Sequence, residues 1–341
     1  MFRNVCYRRL AFGLAQTREM KPSHSLRVKS LFLLFGVLVL VAACSPAARA
    51  GGITILPEVR QGMDLIYGGD PDAAIPIARS LQQSQPDHPA GFLLEGEALW
   101  WKRFCAACEI KYGMFEAWKQ SKEPEDDAYI ALADKEISVA EARLAKTETA
   151  EMHVYAGLGY ALEARVYGLR AQNRNVARVA VKGRAEMLRA LELDPQMADA
   201  TAILGVYNYY VDTLSSIAKV LRVFMGIPGG SKDEGIRQLE VGMNQGVLMA
   251  VDARFIFARA IRQYDFKYEQ ALSIAEPLRQ KYPRNPIFLL LQGNLNALLG
   301  RHAEAANYYR DALKLTSPDP VCATRLHESG AALSASLPQS R

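Results

Sequence analysis

The sequence is poor in the residues that carry out chemistry. Its 341 residues hold five histidines, His24, His88, His153, His302 and His327, scattered along the chain. No H-E-x-x-H, no G-x-S-x-G and no paired Glu-x-x-His occurs, which leaves hydrolase, metalloenzyme and kinase readings without support. The Cys105-Ala106-Ala107-Cys108 pair lacks a second pair to complete a zinc site, and Glu109 stands where haem attachment needs His. It reads as two small thiols one helical turn apart, either buried or oxidised together, with Cys322 as a lone structural cysteine. Gly226–Lys232 (GIPGGSK) lacks the Gly-Lys-Ser/Thr order of a phosphate loop, and Leu162 replaces the third glycine of a dinucleotide motif beginning at Gly157. The chain therefore reads as non-enzymatic, with no cofactor and no metal. Alternating apolar and polar residues are equally scarce, with nothing strand-like beyond Ile53-Thr54-Ile55-Leu56. A basic excess is also missing from the body of the chain. The formal charge is +5, but residues 1–43 take seven of the 41 basic side chains and only one of the 36 acidic ones. The remainder is close to neutral, which argues against nucleic-acid binding.

What is present begins with a leader. Lys21, Arg27 and Lys29 precede an apolar run over residues 31–43, which is too short for a spanning helix of about 20 residues. Residues 1–43 read as a signal peptide, and a start at Met20 would give it conventional proportions. The tail Val41-Ala42-Ala43-Cys44 resembles the lipobox of bacterial lipoproteins. The resemblance implies cleavage before Cys44 and lipid on its thiol and new amino group, including a palmitate-type acyl chain. Two or more chains suffice for stable anchoring. The alternative is ordinary cleavage after Ala48-Arg49-Ala50, releasing a soluble periplasmic protein. Ser45 follows the cysteine, where family sorting rules reserve inner-membrane retention mostly for Asp, so the resemblance implies the outer membrane, facing the periplasm. Residues 44–56 read as a lipidated tether.

The body is organised by a repeat. Asn285–Asp319 holds two short amphipathic segments joined at Gly300, with apolar and small residues at Leu291, Leu295 and Leu298, then at Ala305, Tyr309 and Ala312. Ala271 precedes Ala305 by 34 residues, Pro283 precedes Ser317 by 34, and Gly235 lies 36 before Ala271. Leu204-Gly205 opens a further unit, and Gly69, Ala74, Ala78, Leu81 and Pro86 mark one near the amino end. Asp70-Pro71 and Asn285-Pro286 place a cap before a first-turn proline, and Ser231 with Glu234 forms a capping box. These positions resemble the tetratricopeptide repeat, with departures: Gln292 replaces the usual Leu before Gly293, and Ser317 stands where proline is expected. The resemblance implies an all-α, right-handed α-solenoid of helix pairs sharing a continuous core.

Repeat-like helices are expected over 57–101 and 151–316, and a C-terminal helix and tail over 317–341. Two helical insertions interrupt the repeats. Residues 102–150 flank a solvated loop, Ser121–Asp127, whose carboxylates have no partner base. Residues 211–230 carry a stripe of Leu214, Ile217, Ala218, Leu221 and Phe224, widened by Val220, Val223 and Ile227 and ending near Gly226. On first helices, where the family lines its concave face, stand Trp100, Trp101, Tyr160, Tyr209, Tyr210 and Tyr264, with Glu97, Glu163, Asn208 and Gln263 beside them. Aromatic anchors next to polar groups suit a groove for a partner-protein segment. A second reading is a small apolar ligand, since Gly229–Glu240 resembles a segment of tetratricopeptide lipoproteins that accompany solute transporters. A third makes residues 213–227 a membrane contact.

Overall fold

The computed structural model describes residues 52–109, 116–117, 122–315, 317 and 319–338; the leader and Cys44 lie outside the described residues. Fourteen α-helices follow one another: α1 Pro57–Tyr67, α2 Pro71–Ser84, α3 Ala90–Ala107, α4 Glu125–Leu144, α5 Ala150–Leu169, α6 Asn173–Leu193, α7 Ala198–Thr213, α8 Ser216–Phe224, α9 Lys232–Gln245, α10 Ala250–Ala260, α11 Tyr268–Lys281, α12 Pro286–Leu298, α13 His302–Leu313 and α14 Pro320–Ala335. A π-turn, Ile261–Asp265, extends α10, and a two-residue antiparallel pair joins Cys108–Glu109 to Glu116–Ala117. The architecture is a tetratricopeptide-like α-solenoid. Its helix pairs are α1/α2, α3/α4, α5/α6, α7/α9, α10/α11 and α12/α13, and α14 packs on the last of them.

The helix starts follow from the caps. Asp70 Oδ1 accepts from Ala73 N, Asn285 Oδ1 from Ile287 N and Phe288 N, Ser231 Oγ from Glu234 N and Asp319 Oδ1 from Cys322 N. Each satisfies backbone donors that a helix leaves open at its amino end. Gly69 and Gly300 turn between helices at φ +96° and +75°, a region that only glycine enters cheaply. Small residues then set the crossings. A Cβ on Gly235 would come within 2.6 Å of Tyr209 N, and one on Gly242 within 2.3 Å of the Ala202 Cβ, so α7 and α9 touch backbone to backbone.

First and second helices differ in how they are buried. Second helices hide one stripe, as Val179, Gly183, Met187 and Ala190 on α6 or Ala305, Tyr309 and Ala312 on α13. First helices are enclosed on most sides: every residue from Pro286 to Asn296 on α12 is buried, and thirteen residues of α5 are. The first helices also pack on one another, and α14 reaches back to α3. Tyr282 Oη donates to Asp64 Oδ1 at 2.7 Å and Asn285 Nδ2 to the Tyr67 carbonyl at 2.9 Å, so the fifth and sixth pairs meet the first.

Two expectations are corrected here. Cys105 is bonded to Cys322, not to Cys108, with their Cα atoms 5.2 Å apart; the turn of α14 onto α3 brings together residues 217 apart in sequence. The stretch around residues 122–127 departs from a loop of solvated carboxylates at its end, where Asp126 is buried while Glu125 and Asp127 stay exposed. Glu125, Asp126 and Asp127 open α4, where the helix dipole favours acidic groups. Asp126 is buried, and its carboxylate accepts from Arg170 Nε at 2.6 Å and Nη2 at 2.9 Å and from Arg103. Within residues 102–150, α4 packs chiefly on α5 and also on α3. The second interruption does form a short helix, α8, stopped at Gly226 with φ +67°.

Candidate functional site

The ten residues expected on one concave face fall in three places. The first is the interior where α3, α5, α10 and α12 meet. Glu97 and Trp101 are buried there, and Trp100 is half-buried. Arg165 Nη1 donates to Glu97 Oε2 at 2.6 Å and Nη2 to Asp252 Oδ2 at 3.1 Å, while the Trp100 ring lies 5.6 Å from its guanidinium. Trp101 packs against Tyr67, Phe255 and Phe288 with ring centroids 5.7, 5.2 and 5.7 Å apart. Here the expectation of an open groove is overturned for Trp101 and Glu97. Because the first helices pack on each other, their inner faces are core. A void of about 30 Å³ beside Trp101 and Cys105 has room for about one water, and the rings a small apolar ligand would need are filled by each other.

The electrostatics of this interior are unusual. One guanidinium faces three buried carboxyl groups. Burial drives the Glu97 pKa up to about 7, against the pull of Arg165. Burial raises Asp252 as well, again opposed by Arg165. Glu136 is pushed well above the ordinary carboxyl range by burial and then by Glu97, and neither of its oxygens has a hydrogen-bond partner. Burial of a carboxyl without a cation of its own disfavours the charged form. Burial opposes the Arg165 charge, but Glu97 and Asp252 outweigh it and its pKa moves up. The Tyr67 hydroxyl and the Trp101 indole N–H face Asp252 and pull its pKa down, while the Tyr129 hydroxyl finds no hydrogen-bond partner. The sequence signals Glu97 by its place beside Trp100. It does not signal Arg165, Asp252 or Glu136, whose pairing depends on helices that are distant in the chain.

The second place is a cleft of about 470 Å³ between α4, α5 and α6, lined by Tyr160 and Glu163 together with Asp134, Glu141, Arg178 and Lys182. Lys182 Nζ sits 5.2 Å above the Tyr160 ring. Glu163 is pushed up to about 7, first by burial and then by the hydrogen bond it shares with Asp134. Tyr160 rises to about 12, by burial and by the neighbouring Glu141. The cleft thus brings a tyrosine, two neighbouring carboxyl groups and two cations to one recess.

The third place is the junction of α7, α9 and the π-turn. Tyr209 is fully buried, a second correction to the open-groove expectation, and its Oη donates to Asp265 Oδ2 at 2.9 Å. Burial and then that bond raise its pKa. Tyr210 stands edge-on to Tyr209 at 5.8 Å and to the exposed Tyr264 at 5.9 Å. Asn208 Nδ2 donates to Gln238 Oε1 at 2.8 Å, and Gln263 Oε1 accepts from Arg262 Nη1 at 3.2 Å. The Asn208 bond serves the α7/α9 crossing, and that of Gln263 stays within the π-turn.

Residues 262–320, from the π-turn through α13, match the family model of the tetratricopeptide repeat. No curated protein matches the chain.

Proposed function

We propose that this chain of tetratricopeptide repeats is a lipid-anchored, periplasm-facing scaffold, without enzymatic activity, that holds a segment of a partner protein in the cleft of α4, α5 and α6. Tetratricopeptide repeats support the role of an interaction scaffold. One observation carries the choice of surface. Of the residues picked from sequence as a binding face, Tyr160 and Glu163, though largely buried, line the floor of a recess with charges of both signs, whereas Trp101, Tyr209 and Glu97 line no such recess. A ring with hydrogen-bonding groups and cations around it recognises a peptide by anchor and polar rim.

Envelope location is supported by two features. The leader ends in a lipobox-like Val41-Ala42-Ala43-Cys44. The Cys105–Cys322 bond belongs to an oxidising compartment such as the periplasm. Ser45 favours the outer membrane as the site of the anchor.

A photo-crosslinking residue at position 160 in intact cells tests the surface. The reading expects one dominant protein adduct that disappears on Glu163→Ala with the fold intact. Adducts only from a crosslinker placed on the far side of the molecule, and none at 160, overturn it. Cys44→Ala tests the anchor: the variant should remain unprocessed or become soluble, and an unchanged mass and membrane fraction reject it.

A further inference from the structure

The third junction carries an element that neither the fold nor the cleft uses. On α8 several large apolar side chains face solvent. Its polar side chains turn toward the protein: Lys219 Nζ donates to Asp212 Oδ1 at 2.9 Å, and Arg222 Nη1 donates to the Ile227 carbonyl at 3.2 Å. Three of its apolar side chains, and the residue after it, turn to solvent. Val220 is 56% exposed, Val223 67%, Phe224 84% and Met225, just past the helix, 58%. Val220, Val223 and Phe224 are spaced by three and four residues, so they share one stripe. The base of the helix is held in place, because Asp212 Oδ2 also accepts from Lys232 N while the Lys232 ammonium pairs with Asp265. That chain of contacts links the base of α8 to the π-turn, where Tyr264 and Phe266 are exposed on either side of Asp265. A contiguous outward-facing group of large apolar side chains is uncommon on a protein with no use for it.

We propose that α8 is a membrane-surface element: its outer stripe, with Phe224 and Met225 at the tip, lies in the headgroup–acyl boundary of an anionic bilayer. Three observations choose a bilayer as the occupant. The outer stripe is aliphatic with a phenylalanine at its tip, the composition that partitions into the interfacial region, with Tyr264 and Phe266 as flanking rings. From residue 213 to residue 232 there is no acidic residue to repel anionic headgroups, and Lys219 and Lys232, paired with Asp212 and Asp265, keep part of their side chains exposed. The tether length also agrees. Gly52 N donates to Asp194 Oδ2 beside the start of α7, and α8 lies beyond its far end, roughly 24 Å along a 16-residue helix. The stretch from Cys44 to Gly52 spans up to about 29 Å when extended, so a lipid on Cys44 can lie in the bilayer that α8 touches. That last argument rests on the anchor reading above; the first two do not. Among the described residues no helix is long and apolar enough to cross a membrane, so α8 would lie on the surface and not span it.

The test uses the full protein with Phe224→Trp, mixed with vesicles of phosphatidylethanolamine and phosphatidylglycerol, with and without bromine on the acyl chains. Flotation of the vesicles reports the anchor. Bromine quenching of fluorescence, taken relative to the same protein with Phe224 retained, reports position 224. Quenching at 224 that falls about tenfold or more when Val223→Asp is added, with an unchanged melting temperature, supports the inference. Quenching without stable flotation supports it too, and counts only against the anchor. Flotation with no quenching at 224 overturns it and leaves the anchor standing. A photo-crosslinker at 224 that joins a second copy of this chain or another protein, in place of lipid, also overturns it.

Discussion

At the scale of single residues the distinctive fact is the imbalance around Arg165. Two carboxylates hydrogen-bond to it and a third, Glu136, lies buried without a partner. Buried charge is costly, so the interior is expected to hold protons that the unfolded chain would release. For Glu97 the folded pKa of about 7 lies above its ordinary value of 4.5. Its contribution is therefore fully present below about pH 4.5 and is lost as pH rises through about 7. Glu163 acts in the same window and with the same sign. Urea midpoints measured from about pH 5 to about pH 8 should fall, and Glu97→Gln, which keeps an acceptor for Arg165, should flatten part of that fall. Unchanged slopes in Glu97→Gln would show that Glu97 stays ionised. Asp126 has the opposite sign. Burial works against its charge, but hydrogen bonds from Arg170, Glu123 N and Arg103 prevail and hold its pKa down at about 2. It stabilises above its ordinary range and loses that effect only as pH falls toward about 2. Removing the carboxylate that Arg103 and Arg170 share, by Asp126→Ala, should cost about 3–5 kcal/mol by denaturant titration at neutral pH.

At the scale of elements, the crossings decide what can change. Gly235 faces backbone atoms of Tyr209 and Gly205, which no rotamer shift can move aside. Gly235→Ala should therefore overpack the α7/α9 crossing and cost about 1–3 kcal/mol despite adding a single methyl group. Ala305→Leu on α13, at a fully buried position, should fall in the same range; a neutral result at both sites would place the register wrongly. The elements were legible in the sequence where local chemistry fixes them. Asp70-Pro71, Asn285-Pro286 and Ser231 with Glu234 start helices where they were read, and Ala74, Ala78, Ala271 and Ala305 are the buried small residues of the crossings. What failed depends on distance. Whether Trp101 and Tyr209 face a groove or a core is decided by how closely one first helix packs on the next. That is a property of the winding, not of any 34-residue unit. Asp126 looked like a loop carboxylate because its cations stand on α3 and α5. Cys105 has a nearer thiol in Cys108 and a distant one in Cys322, and spacing alone favours the wrong choice.

At the scale of the whole of residues 52–338, the packing of α14 on α3 and the bond between Cys105 and Cys322 fasten late chain to early chain. A cross-link over so long a loop acts mainly by limiting the unfolded chain. Cys322→Ser should lower stability by about 2–5 kcal/mol, read as a drop in the urea midpoint that a reducing agent reproduces in the parent protein and not in the variant. A reducing agent with no effect on the parent would show that the bond does not form.

The contacts from Tyr282 and Asn285 to the first helix have a further meaning. An open array of repeats loosens from its ends, because a terminal unit has one neighbour where an inner unit has two. Here the sixth pair touches the first as well as the fifth, so the units that would fray first are held on both sides. Amide exchange should then show no gradient of protection from the middle of the array outward, and the backbone of α1 should exchange as slowly as that of α12. The molecule would open all at once or, if anywhere first, at α8, whose outer face is held by nothing described within the chain.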